Sequence, residues 1–351
     1  MNDFKNIIDS RMISATAPCR IDMGGTLDIG SFYYPLSFLN PCTFNIAVDM
    51  RTRIDIVSYR PGYVRISSRG FDDAEYPADT LPFKHPLGLM FAIAAYFHID
   101  GIHIDIVSAS PPRSALGGSS AAAVALIAAF DRVLTMADQP PIPMDRIPLL
   151  AHAIEEGVAG VPCGLQDQLA ATYGGINAWH WRGKGADSLY LRQQVVDKAG
   201  SAGFRRRLLL AYCGVPHESV NINSQWVKQF LSGKYRSQWA EIIRCTSAFV
   251  HAIAADDISA AVRLMNRETA IRLEMTPDVL DDMGNRLFDA ARNSRCAARF
   301  TGAGGGGCIW ALGQTVDITV LKPIWKSILS ERSEAELLDF NIDDEGVKVH
   351  E

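Results

Sequence analysis

No C-x-x-C pair occurs among the seven cysteines of this chain, Cys19, Cys42, Cys163, Cys213, Cys245, Cys296 and Cys308. An odd, scattered set suggests neither a disulfide framework nor a structural zinc site, and it fits a reducing cytoplasm. Positive charge is not in excess: Lys+Arg 34 against Asp+Glu 39 leaves a net charge of -5. The chain therefore lacks the basic footprint of a nucleic-acid binder. The N-terminus has no basic start followed by an apolar stretch, and the longest apolar run, Ala121 to Phe130, is too short to span a bilayer. Neither secretion nor membrane insertion is expected. Internal repeats and low-complexity tracts are missing too. What remains is an ordinary globular composition, 48% hydrophobic and 21% charged, outside the disordered and fibrous classes. At 351 residues it predicts two domains or one large composite.

The first half opens with strand-like text at Met12 to Met23, Thr43 to Tyr59 and Val64 to Ser68, where β-branched and polar residues alternate. Pro86 to Phe97 reads as a helix and Gly101 to Ser108 as a half-buried strand. A strong Ala- and Leu-rich helix from Ser119 or Ser120 to Leu134 follows, with serine as its expected cap. Further helices are expected at Met144 to Glu156 and from Leu165 to just before Gly174. The polar stretch Arg182 to Gly203 is the best domain boundary, giving residues 1–203 and 204–351. Beyond it come the apolar run Leu208 to Cys213 and helix-like segments at Asn223 to Leu231, Trp239 to Ala255, Ile258 to Leu273 and Pro277 to Asn293. The second half ends on a strand, glycine-rich turn and strand from Ala297 to Leu312. Strands and helices without a regular βαβ rhythm predict an α+β fold.

Four segments carry the chemistry. Pro111-Pro-Arg-Ser-Ala-Leu-Gly-Gly-Ser-Ser-Ala-Ala-Ala-Val lies between a strand and a helix. Its small residues let the backbone approach a ligand, and the helix start favours an anion. It is equally well a tight turn with a serine cap, and without a Lys after the glycines it is no Walker loop. Gly302-Ala-Gly-Gly-Gly-Gly satisfies G-x-G-x-x-G, yet a strand follows where a dinucleotide-binding fold needs a helix. The excess of glycine implies close packing against a substrate or another loop. Asp167 stands near a helix start, where it is either a first-turn acid or a site carboxylate. Glu155 or Glu156, at the preceding helix end, has need of a cation, and a folded-back loop could bring Glu155 and Asp167 to one site. Arg20, Asp22 and Asp28 surround the Gly24-Gly25 turn, either as a surface ion pair or as part of a site. His217 reads as an exposed loop residue outside the site.

Taken together, Ala17-Pro18-x-Arg20, Pro111-Pro-x-Ser-Ala-Leu-Gly-x-Ser119-Ser, Gly164-x-x-Asp167-Gln168 and Thr301-Gly-Ala-Gly-Gly-Gly-Gly-Cys resemble, in order and spacing, the signatures of the GHMP small-molecule kinases. Gln166-Asp167-Gln168, Gly174-Gly175-Ile176-Asn177 and the terminal Leu338 to Val349 stretch are most similar to the D-glycero-D-manno-heptose 7-phosphate kinase and fucokinase branch. Gly160-Val-Pro-Cys-Gly is similar to galactokinase. The resemblance implies an N-terminal domain like ribosomal protein S5, a ferredoxin-like C-terminal domain, and ATP- and Mg²⁺-dependent phosphorylation of a sugar or sugar phosphate. It implies that Ser114, Ala115, Leu116, Gly117, Gly118, Ser119 and Ser120 wrap the ATP phosphates, and that Ser119 and Glu155 bind Mg²⁺. Asp167 would be the catalytic carboxylate and Arg20 the charge beside the transferred phosphoryl. Asp28, with Gly25, Gly304 and Gly305, would meet the sugar, although Asp22 competes with Asp28 for that place. Gly118 replaces the first serine of the usual Leu-Gly-Ser-Ser. The rival readings are a silent sugar or nucleotide sensor and a non-kinase enzyme on the same frame.

Overall fold

The computed structural model describes residues 2–183, 188–216 and 219–350; His217 lies outside them. In chain order the first half contains α1 (Asn2–Ser10), β1 (Ile13–Met23), α2 (Gly30–Tyr33), β2 (Cys42–Ser58), β3 (Tyr63–Ser68), β4 (Ala74–Pro77), α3 (Gly88–Phe97), β5 (Ile102–Ser108), α4 (Gly118–Met136), α5 (Ile147–Ala159), α6 (Gln166–Tyr173), β6 (Ile176–Trp181) and β7 (Tyr190–Val196). Then come α7 (Lys198–Arg205), β8 (Leu208–Tyr212), α8 (Ser219–Leu231), α9 (Arg236–Ala254), α10 (Ile258–Met275), α11 (Asp282–Asn293), β9 (Ala297–Phe300), β10 (Cys308–Leu312), α12 (Thr315–Leu329), β11 (Glu336–Leu337) and β12 (Lys348–His350). The fold is α+β.

One sheet runs β12-β1-β2-β5-β3-β4, with β6 and β7 attached to β2; the other runs β11-β8-β10-β9. The long β2 explains the first. One edge pairs with β1 throughout, while the other pairs with β6 over Cys42–Ile46 and with β5 over Thr52–Ser58. In the second sheet the period-2 alternation of strands divides the interior. Leu208, Leu210, Trp310 and Leu312 face the core that surrounds β1, β2 and α4, whereas Leu209, Ala211, Ile309 and Ala311 face a second core with Trp226, Trp239 and Trp325.

Several expectations change. Gly117 in the left-handed region is the N-cap of α4, and no side chain caps it, so serine is not the cap. The serine hydroxyls turn to a carboxylate instead. The helix spans Gly118–Met136, long and apolar enough to cross a membrane by length and composition, which the shorter run Ala121 to Phe130 did not suggest. It packs on β1 and β2 and is 67% buried, as a core helix of a folded domain would be. The polar stretch Arg182 to Gly203 holds β7 and most of α7. Pro277 to Asn293 breaks into a single 3₁₀ turn and α11, because Asp281 caps the latter through Gly284 N–H. Residues 338–350 return to the first sheet, where β12 pairs with β1.

Candidate active site

A register shift between Pro18 and Cys19 interrupts β1, which then stays paired with β2 from Cys19 to Met23, and the Arg20 N–H bonds Leu116 O at 2.9 Å. This ties the strand to the Ser114–Ser120 loop. The Arg20 side chain then meets the start of α6. Nε donates to Asp167 Oδ1 at 2.8 Å and Nη2 to Oδ2 at 2.9 Å, a bidentate pair, while Nη1 donates to Ala115 O at 2.6 Å. Burial alone would lower the pKa of Arg20, but Asp167, Asp22 and Asp28 outweigh it and hold it raised.

The loop is bent tightly enough to touch Asp167. Gly117 adopts φ 78°, and a Cβ there would stand 3.0 Å from Asp167 Oδ2. Arg113 and Ala115 also have positive φ, a strained backbone for side-chain-bearing residues and one met at ligand-binding loops. At the helix start Ser120 Oγ donates to Glu155 Oε2 at 2.9 Å, with Ser119 Oγ 3.5 Å from Oε1 and Gln168 Nε2 2.6 Å from Oε2. Glu155 and Asp167 therefore flank one loop from two helices. Burial pushes the Glu155 pKa up, against the hydrogen bonds that would lower it. A half-buried carboxylate beside a hydroxyl offers the hard oxygen donors that Mg²⁺ accepts alongside substrate phosphates and water, so these residues fit that ion. Among the described residues no group of three or more His, Cys, Asp or Glu could hold a metal by itself.

Asp28 and Asp22 separate cleanly. Asp28 lines the cleft; its Oδ2 accepts from Gln166 N at 3.1 Å and its Oδ1 is buried without a partner. Gly164 makes this approach possible, since a Cβ there would lie 1.9 Å from Asp28 Oδ2. Burial raises the Asp28 pKa to about 6. Asp22 is fully buried under the floor, accepting from Gly302 N at 2.6 Å and Arg299 Nη1 at 3.2 Å. Gly25 lies beside it: a Cβ at Gly25 would meet Asp22 Oδ2 at 2.5 Å. Gly304 and Gly305 do not line the cleft. A Cβ on Gly304 would be 2.4 Å from Val279, and Gly305 N–H bonds Val279 O at 2.9 Å. Gly307 presses on Ser114 O in the same way. Packing on other loops is what the glycine excess serves, and Gly302 and Ala303 are the members at the cleft.

The result is one cleft of about 450 Å³, within the size range of small-molecule sites. Arg20, Asp167, Glu155 and the Ser114–Ser120 loop border its middle. Phe71, Leu87, Met90 and Ile106 add apolar lining, and Thr26, Asp28, Asn223 and Ala303 add further walls. Thr26 and the apolar lining carry no signal in the sequence, because they become neighbours only through the fold; Gln168 stood in the motif around Asp167, and the fold turns it to Glu155.

Residues 85–175 match the family model described as the GHMP kinases N terminal domain. Over 205 residues the chain is 28% identical to "Probable glucuronokinase 2" of Arabidopsis thaliana, covering 56% of this chain and 53% of that protein. Over 242 residues it is 24% identical to the D-glycero-alpha-D-manno-heptose 7-phosphate kinase of Campylobacter jejuni, covering 68% and 67%. Mevalonate kinase of Thermococcus gammatolerans matches at 27% over 220 residues, 60% of each chain. These alignments span about half to two thirds of the relatives' lengths. Lactococcus lactis galactokinase, solved in complex with galactose, shares the fold with a TM-score of 0.74 and 16% identity over 99% of this chain and 98% of that one.

Proposed function

We propose that this chain, whose residues 85–175 match the GHMP kinase N-terminal domain, transfers the terminal phosphoryl group of ATP to a hydroxyl of a sugar or sugar phosphate. The observation that carries this reading is the bidentate Arg20–Asp167 pair set against the glycine-serine loop, with Glu155 on one side and Asp28 on the other. Phosphoryl transfer needs positioning and charge stabilisation more than covalent help. The loop Ser114, Ala115, Leu116, Gly117, Gly118, Ser119 and Ser120 offers its backbone and hydroxyls to the phosphates, as helix starts do.

Ser119 and Glu155 would hold Mg²⁺, which supplies charge neutralisation of the phosphate oxygens when bound. Asp167 accepts or orients the acceptor hydroxyl, and Arg20 fixes that carboxylate while placing positive charge beside it. Asp28 accepts hydrogen bonds from other hydroxyls of the acceptor. On this reading residues 1–203 bear the nucleotide- and Mg²⁺-binding groups, and residues 204–351 close the acceptor end through Asn223, Gly302 and Ala303. Seven free thiols fit a reducing cytoplasmic setting.

ADP release by the purified protein with Mg²⁺-ATP, across free sugars, sugar phosphates, uronic acids and mevalonate, tests the reading. Acceptor-dependent ADP with a sugar or sugar phosphate is expected. Turnover with mevalonate alone would move the acceptor to the class of the mevalonate kinase relatives, and no turnover with any acceptor would refute the kinase reading.

A further inference from the structure

Three charged side chains unused by the proposed transfer lie fully buried behind Arg20. Glu268 and Arg272 sit one turn apart on α10, and Arg299 sits on β9. Glu268 accepts from Arg272 Nε and from Arg299 Nε, each at 2.9 Å. Arg299 Nη1 donates to Asp22 Oδ2 at 3.2 Å, and Asp22 Oδ1 lies 3.6 Å from Arg20 Nη1. With Asp167 the file alternates in sign from end to end: Arg272, Glu268, Arg299, Asp22, Arg20, Asp167. Burial alone would raise the pKa of Glu268, but Arg299 and Arg272 outweigh it and hold it lowered.

The far end of the file also reaches the cleft. Arg272 Nη2 donates to Gly25 O at 2.7 Å, Nη1 lies 3.4 Å from Thr26 Oγ1, and the guanidinium rests over Trp226 and Trp239. Thr26 has φ 80°, an outlier for a β-branched residue that persists only where its surroundings impose it. Two residues later comes Asp28.

Stability does not explain this arrangement, since packed apolar side chains often replace buried ion networks without loss. Guanidinium forks give direction, which apolar side chains cannot. We propose, resting on the phosphoryl-transfer reading of the cleft, that Arg272, Glu268 and Arg299 are positioning residues. They back Arg20 through Asp22 and hold the strained Gly25–Thr26 turn, so that the second half of the chain sets both the Asp167 pair and the reach of Asp28.

Arg272→Met tests this, because it keeps packing under the two indoles and leaves Glu268 paired with Arg299. Its kcat/KM for the acceptor is expected to fall by about ten- to a hundredfold, with the KM for ATP within about twofold of wild type. Arg272→Lys keeps the charge but not the fork and is expected to fall between the two. A structural role alone predicts a lower melting temperature with unchanged kcat/KM well below it, and that result overturns the inference. So does an equal rise of both KM values. Should Arg272→Met not fold, Arg272→Lys decides by the same split. A wild type that releases no ADP removes the kinase reading and this inference together; an active wild type matched by its folded variants removes the inference alone.

Discussion

On the proposed reading Asp28 faces the acceptor, and its environment gives it a distinctive pH signature. Burial raises its pKa to about 6, so its protonated form favours the folded state: that contribution is complete below the unfolded value, about 4, and is lost as pH rises through about 6. Holding sugar hydroxyls as an acceptor asks for the opposite, ionised form. Between about pH 5 and pH 7, kcat/KM for the acceptor is therefore expected to rise with an inflection near 6 that disappears in Asp28→Asn. A wild-type inflection that survives in Asp28→Asn belongs to another group. At Ser119 the two roles of a helix-start serine separate, because α4 takes its cap from Gly117. Ser119→Ala is expected to cost well under the ~1 kcal/mol of a lost cap while raising the Mg²⁺ concentration needed for half-maximal activity. Chemical denaturation and a Mg²⁺ titration measure the two effects, and an unchanged Mg²⁺ requirement would take Ser119 out of the site.

Among the elements, α6 has its N-terminus at Asp167 and its C-terminus under the returning chain. Val347 N–H bonds Thr172 O at 3.2 Å, Gly175 N–H bonds Asp343 O at 2.6 Å, and Arg51 bridges Asp343, Thr16 and the Gly346 carbonyl. Gly346 has φ 71°, and a Cβ there would be 2.2 Å from Thr172 O. Gly346→Ala is expected to lower stability by on the order of 2–3 kcal/mol in chemical denaturation; a loss under about half a kcal/mol would show that this contact is loose. The terminal Leu338 to Val349 stretch was legible only as a resemblance, since its partners lie some 130 to 330 residues away and leave no local period. By contrast α3, α4 and α10 were readable from apolar spacing and alanine content, as propensity and packing agree there. Strand β7 was hidden in a polar stretch: it has no fully buried residue, so its face carries no hydrophobic alternation.

Across the whole molecule, the cleft joins segments far apart in sequence, near residues 20, 115, 155, 167, 223 and 302. Of the motif residues, Glu155 stands out by a local rule, an acid at a helix C-terminus, whereas Arg20, Ser119 and Asp167 each have an ordinary structural reading and were singled out by the joint occurrence of their motifs. Their assembly was not visible, nor was the division of labour between Asp22 and Asp28, which depends on Arg299 arriving from the second sheet. The glycine run shows the same limit. Sequence allowed a ligand or another loop, and Val279, Pro216 and Ser114 turn out to fill the space. Phosphoryl transfer at the Arg20–Asp167 pair is tested most directly by Asp167→Asn, which keeps size and removes charge. With the acceptor found by ADP release, the variant is expected to bind ATP nearly as wild type does and to lose about 10² to 10⁴-fold in kcat. An unchanged kcat would make Asp167 an ordinary first-turn acid and place the chemistry elsewhere.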